Sequence, residues 1–185
     1  IAVDRYFAKG GGAIMMDVNN GEILSMVSLP DFNPYNPIKS LTSRRYNNKN
    51  TYDLLELGST FKTFTMAMAY ENDILDKDEL FDVTKPIKIS GFTIKDYKKQ
   101  DKPLSAEEVF IKSSNIGTAQ IAHRMNYNLQ REFFKRLGLF SKLNVELIAK
   151  STPKIPRRWG ITRNITASYG YGVSVSPLHV SQAIA

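Results

Sequence analysis

An α+β fold is predicted by three features of this 185-residue chain: an Asn-Gly hairpin signal near the start, capped helical stretches through the middle, and a proline-opened helix at the end. The length suits one domain of about 100–200 residues. A composition of 42% hydrophobic and 23% charged residues is that of a folded protein with a buried core.

Residues 13–18 and 22–29 read as two strands around Asn19-Asn20-Gly21, since Asn and Gly tolerate the positive φ of a tight turn. Pro30, Pro34 and Pro37 with Asn33 and Asn36 then exclude regular structure, and an irregular stretch rich in Asn, Lys and Arg runs to about Asn50. After Gly58, residues 59–71 contain neither Gly nor Pro. There Phe61, Phe64 and Met68, with small Ala67 and Ala69, predict the apolar face of a mostly buried helix. Residues 81–97 are extended and turn-rich, with a small hairpin predicted from 86–90 and 92–95 about Gly91. Ser105-Ala106-Glu107-Glu108 has the capping-box form, so a short helix should run to Ser113 and a second should start at about Asn115. A third is expected over 129–137, capped by Asn128 and ended by Gly138. Trp159 lies in a Pro- and Arg-rich connection, and Tyr169-Gly170-Tyr171-Gly172 interrupts the chain before a last helix opened by Ser176 as cap and Pro177 in the first turn.

Several function classes are disfavoured at once. Cysteine is absent, which excludes a thiol nucleophile, and His123 and His179 are far apart with no carboxylate at ligand spacing, so no metal or other cofactor is expected. The net charge of +7 suits an acidic partner, yet the basic residues are dispersed and no aromatic RNA-binding signature accompanies them. They read as a solvated surface, and no nucleic-acid partner is expected. No apolar stretch approaches the roughly 18–20 residues that span a bilayer, and the first residues do not form a signal peptide. The chain opens without methionine and stops inside its last predicted helix, so an anchor and further elements are expected outside it.

Ser59 and Lys62 carry the strongest chemical signal. A serine and a lysine three apart share a helix face, and a desolvated lysine has its pKa lowered enough to take the hydroxyl proton. The spacing is common by chance, and Ser151-Thr152-Pro153-Lys154 shows it too, but the proline there denies a helix. In Gly58-Ser59-Thr60-Phe61-Lys62 the glycine permits a sharp turn that places Ser59 at a helix N-terminus, where the dipole favours a developing oxyanion. The plain alternative is that Ser59 is a helix cap and Lys62 a surface lysine. Ser113-Ser114-Asn115, in the break between two predicted helices, adds a hydroxyl able to relay a proton and an amide able to hold the lysine and substrate. Its plain alternative is that Ser114 or Asn115 merely caps the second helix.

Together these stretches resemble the transpeptidase domain of class B penicillin-binding proteins, the peptidoglycan D,D-transpeptidases, and most of all the septal type. Residues 17–26 resemble the family's first hairpin, Pro30-Asp31-Phe32-Asn33-Pro34 its next connection, Glu56 to Lys62 its nucleophile motif and Lys112-Ser113-Ser114-Asn115-Ile116-Gly117 its second motif. Ser168-Tyr169-Gly170-Tyr171-Gly172 with Ser176-Pro177-Leu178 resembles a later segment. Leu57 and Thr63 stand where the family commonly has proline, which alters the helix entrance and not the reacting groups. The third motif, Lys-Thr-Gly or Lys-Ser-Gly on a core strand, has no counterpart in these 185 residues and is expected beyond Ala185.

The resemblance implies a helical cluster packed on an antiparallel sheet, with residues 1–185 forming the first and middle parts of the domain and the sheet left incomplete. It implies that Ser59 is acylated by a D-Ala-D-Ala stem peptide or a β-lactam, with Lys62 toward Ser59, Ser113 toward the leaving amine, and Asn115 and Ser114 toward the substrate. Which group is the acylation base stays open. It further implies wall-synthesis and division proteins as partners, a place on the periplasmic side of the inner membrane, and impaired activity of these residues alone. A β-lactamase or D,D-carboxypeptidase of the same fold and a noncatalytic penicillin-binding-like scaffold are the alternatives.

Overall fold

The computed structural model describes residues 2–33, 35, 47–76 and 78–185. The expectations at Pro34, Asn36 and Pro37, and for the irregular stretch over 36–46, lie outside them. In chain order the elements are α1 (Ala2–Arg5), β1 (Gly11–Met16), β2 (Ile23–Leu29), a 3-10 turn (Gly58–Phe61), α2 (Lys62–Glu71), β3 (Leu80–Phe81), β4 (Ile87–Ile89), β5 (Phe92–Ile94), β6 (Leu104–Ser105), α3 (Ala106–Ile111), α4 (Asn115–Arg124), α5 (Tyr127–Arg136), α6 (Ile161–Ser168) and α7 (Pro177–Ile184). The expected α+β class is present. Among the described residues the strands form three separate antiparallel pairs, β1 with β2, β3 with β6 and β4 with β5.

The chain divides into two compact units. The first comprises Ile1–Leu55, Leu137–Lys154 and Ser174–Ala185. Its hairpin pairs Gly11 with Leu29 through Met15 with Ser25, and a bulge then brings Met16 opposite Ile23. The strands stop short of Asn19-Gly21 because Asp17 organises a wider turn: its carboxylate accepts from the Asn19 backbone N–H at 2.8 Å, and its own N–H donates to the Glu22 carbonyl at 2.9 Å. The sequence therefore places the hairpin correctly but carries the first strand two residues and the second one residue too far into the turn. Helix α7 packs on β1. Buried Asn50 ties this unit together, donating its amide to the Val27 carbonyl at 2.8 Å and accepting at its backbone carbonyl from the Leu178 N–H at 2.9 Å. Lys154 bridges Ser174 in extended backbone, so Ser151 and Lys154 share no helix face, as Pro153 requires.

The second unit, Glu56–Arg136 and Ile155–Val173, is mainly helical. Its core is aromatic: Phe61 meets both Phe64 and Phe134 edge-on at 5.5 Å between ring centroids, and Trp159 closes on Phe134 at 6.3 Å. Val109, Ile121 and Ile165 extend this core from α3, α4 and α6. Phe61, Phe64, Met68 and Ala69 are buried as expected, whereas Ala67 is exposed and Thr65 and Met66 are buried instead. At about 3.6 residues per turn Thr65 and Met66 fall on the arc of Phe61 and Met68, whereas Ala67 falls with exposed Thr63 and Tyr70 on the opposite side.

The capping box forms as predicted, Ser105 accepting from the Glu108 N–H at 3.2 Å and Glu108 accepting from the Ser105 N–H at 3.1 Å. The hairpin about Gly91 also forms, with Ser90 at φ 49° and Gly91 at φ 83° supplying the turn between β4 and β5. Helix α5 begins two residues before the predicted start, its entrance organised by Asn126, whose side chain accepts from the Asn128 N–H at 2.8 Å. Helix α6 is not predicted from the sequence. Its β-branched residues weaken the helical signal, while tertiary contacts fix it: buried Asn164 donates to the Ala122 carbonyl of α4 at 2.6 Å, and its own carbonyl accepts from Gln130 of α5 at 2.9 Å.

Candidate active site

Gly58 adopts φ 54°, a conformation available to glycine at little cost, and turns the chain sharply into the Gly58–Phe61 3-10 turn. Residues i and i+3 eclipse in such a turn, so Ser59 and Lys62 project from one side of the helix entrance. Ser59 is exposed. Lys62 is only 1% exposed, and burial lowers its pKa from 10.5 to about 8 against the opposing attraction of Asp96. The surface-lysine alternative therefore fails for Lys62.

Backbone packing holds the turn from behind. A Cβ at Gly170, whose φ is 86°, would run into the backbone of Gly58, so only glycine lets the two segments meet. The Gly172 N–H donates to Glu56 Oε1 at 2.7 Å, and Thr65 Oγ1 of α2 donates to the Ser168 carbonyl at 2.8 Å. The Tyr169 to Gly172 segment thus acts on Ser59 through the backbone that carries it.

The Ser113-Ser114-Asn115 turn meets the lysine. Lys62 Nζ donates to the Ser113 carbonyl at 2.6 Å and to Ser113 Oγ at 3.0 Å. Ser113 sits at φ 53°, a strained region for a non-glycine residue, and in that conformation presents both oxygens to one ammonium. Asn115 does not hold the lysine: its Nδ2 donates to the Lys95 carbonyl at 3.1 Å. Ser114 does not face the cleft. It is 1% exposed, accepts from the Gly117 N–H at 2.9 Å as the cap of α4, and donates to Asp96 Oδ2 at 2.7 Å. Its plain alternative, helix capping, describes its contacts completely.

Asp96 is the residue that sequence reasoning missed. Besides binding Ser114 it accepts from the Ile116 N–H at 2.9 Å, so one carboxylate secures the first turn of α4 and lends negative charge to the surroundings of Lys62. Its partners lie 18 and 20 residues away, beyond any local pattern.

Ser59, Ser113 and Asn115 line one cleft of about 690 Å³, together with Asp96. An exposed serine at a helix entrance, a desolvated lysine one turn on and a Ser-Ser-Asn turn binding that lysine make the layout of the serine–lysine acyl-transfer class. The pattern of the penicillin binding protein transpeptidase domain matches residues 11–185, and the chain belongs to that family. It is 35% identical over 183 residues to the probable peptidoglycan D,D-transpeptidase FtsI of Caulobacter vibrioides, covering 99% of this chain and 31% of that protein. To the peptidoglycan D,D-transpeptidase FtsI of Escherichia coli K12 it is 31% identical over 180 residues, covering 96% of this chain and 30% of the relative. Among solved structures, the transpeptidase domain of Burkholderia pseudomallei penicillin-binding protein 3 superposes with a TM-score of 0.85 at 29% identity, covering 99% of this chain and 51% of that one. The chain thus spans about a third of the length of these curated relatives. No helix among the described residues is long and apolar enough to cross a membrane.

Proposed function

We propose that this chain forms the nucleophile-bearing part of a peptidoglycan D,D-transpeptidase, with Ser59 as the acylated residue. The observation that carries the reading is the buried Lys62, held by Ser113 at the edge of the Ser59 cleft with a pKa lowered to about 8. At pH 7 roughly a tenth of the molecules then hold a neutral amine there. That amine has two N–H groups, which satisfy the two Ser113 oxygens, and one lone pair left over as base.

In the proposed reaction Ser59 Oγ forms a bond to the carbonyl carbon between the last two D-alanines of a stem peptide, and its proton passes to Lys62. Ser113 relays a proton to the departing D-alanine amine as the C–N bond breaks, leaving an ester on Ser59. An amine from a neighbouring strand attacks that ester and restores the hydroxyl. Asn115 orients the peptide in this reading, a role supported by its position in the lining of the same cleft. A β-lactam ring opens on the same serine.

The septal role, wall-synthesis and division partners and a periplasmic setting at the inner membrane are proposed from the FtsI relatives. Residues 1–185 are proposed to carry the first two motifs, with the Lys-Thr-Gly type of strand supplied by chain outside them. That strand would bring the second oxyanion donor, whose loss costs about 10²–10³ in rate, so the isolated 185 residues should acylate far more slowly than the full-length protein.

Mass spectrometry of the full-length protein after benzylpenicillin tests the central assignment. One adduct on the Ser59 peptide, abolished by Ser59→Ala, is expected. An adduct that survives the substitution refutes it.

A further inference from the structure

The cleft that holds Ser59 carries a concentration of positive charge that the proposed chemistry does not use. Lys98, Lys99 and Lys112 line it, and none has an ion-pair partner among the described residues. Their neighbour Lys102 differs, being neutralised by Glu108 at 3.0 Å. Glu108, one helical turn before Lys112, feels that lysine's charge, but its bonds go to Lys102 and the Ser105 N–H and it closes no ion pair with Lys112. The acid inside the cleft, Asp96, is bound by the Ser114 hydroxyl and the Ile116 N–H of α4 and keeps its charge, so the three lysines leave a net positive excess there. Two of the three cations come from the segment after β5 and the third from the end of α3, so they approach the cleft from separate elements.

We infer that Lys98, Lys99 and Lys112 form an anion-binding rim that selects acyl donors carrying a carboxylate outside the scissile dipeptide, that is, acidic and unamidated peptides. The inference rests on Ser59 being the nucleophile of the proposed reaction. Three unpaired cations about one concave site focus the field into it and raise the local concentration of anionic ligands. Because all three are exposed, the attraction is of the kind that salt screens, with a Debye length of about 10 Å at 0.1 M. The rim therefore acts on encounter and ground-state binding more than on the chemical step. An amidated peptide of the same shape keeps only its terminal carboxylate and loses most of this advantage.

A matched pair of probes isolates the effect: benzylpenicillin and its α-carboxy analogue differ by one carboxylate on the side chain, away from the β-lactam carbonyl. Second-order acylation of Ser59 in the full-length protein is to be measured for both, at about 0.05 and 0.5 M salt, in the unaltered protein and in the triple variant Lys98→Gln, Lys99→Gln, Lys112→Gln. The expected result is a loss of about tenfold for the α-carboxy analogue beyond any loss for benzylpenicillin, with the same selective loss produced by salt in the unaltered protein and absent from the variant. Equal losses for the two probes, or none, overturn the rim while leaving the Ser59 assignment standing. Failure of both probes to label Ser59 in the unaltered protein overturns the assignment and the rim with it. Should the triple variant not fold, the salt dependence of the unaltered protein decides alone: equal slopes for the two probes reject the rim.

Discussion

Lys62 sits where function and stability oppose each other. Holding its pKa near 8 instead of 10.5 means that folding at neutral pH buries a charge at a cost of roughly 3 kcal/mol, partly offset by the two bonds to Ser113. The unfolded chain binds the proton more tightly, so this cost is present below pH 8 and disappears as pH rises toward 10.5. Lys62→Met, similar in length and uncharged, should abolish penicillin acylation. The unaltered protein should also gain stability relative to Lys62→Met between pH 8 and 10, which denaturant unfolding at each pH measures; a constant difference across that range contradicts the desolvated lysine. Asp96 pulls the other way by favouring the charged lysine. Asp96→Asn should move the rise of acylation with pH to lower pH, a displacement that a merely structural loss of the α4 anchor does not produce. The meeting of Lys62 with Ser113 beside the Ser59 cleft was legible from residue type and spacing, and the roles proposed for the three rest on that meeting. The motif does not say which of two adjacent hydroxyls meets Lys62 and which, as Ser114 does, binds the start of α4 and Asp96, and Asp96 was invisible because its partners are distant in sequence.

Elements were legible where their ends are written locally. Asn19-Asn20-Gly21, the Ser105 to Glu108 box, Ser176-Pro177 and Gly138 each announce a boundary through conformations few other residues accept, and the elements they bound are all found. Helix α6 and the two-residue strands β3 and β6 were not, since their reason lies in distant partners: Ala122 and Gln130 for α6, and the pairing of Leu80 and Phe81 with Ser105 and Leu104 for the strands. The Tyr169 to Gly172 segment is intermediate. Its glycines mark a break, but only the fold shows that Gly170 abuts Gly58. Gly170→Ala combines a positive φ with a collision against backbone, so a stability loss of about 1–3 kcal/mol is expected. Since the colliding backbone carries Ser59, the acylation rate of the folded fraction should fall too. A variant with reduced melting temperature and unchanged acylation would show that the contact supports the unit and not the nucleophile. Ser105→Ala removes a cap farther from the reaction and should cost about 1 kcal/mol while leaving acylation unchanged.

Across the whole molecule, one buried histidine bears on the acid response of stability. His179 is buried within the unit that contains α7, and burial lowers its pKa below 6.5 despite the Ser141 carbonyl, which favours protonation. Its Nε2 faces that carbonyl at 2.9 Å, so Nε2 bears the proton of the neutral ring and Nδ1 is left as acceptor. Nδ1 lies 2.7 Å from Ser176 Oγ and 3.3 Å from the Ser176 N–H, serving as the acceptor half of the α7 capping box. Protonation at Nδ1 turns that acceptor into a donor and opens the box. The unfolded chain binds this proton as pH falls below 6.5, whereas the folded chain resists until a lower pH. The contribution is therefore complete above 6.5 and is lost progressively below it. His179→Gln keeps a side chain with one donor and one acceptor and cannot titrate in this range. Thermal unfolding from pH 7.5 to 5 should show a shallower acid loss in His179→Gln than in the unaltered protein. Parallel acid limbs for the two proteins would mean that the carboxylates, and not the α7 cap, govern the response.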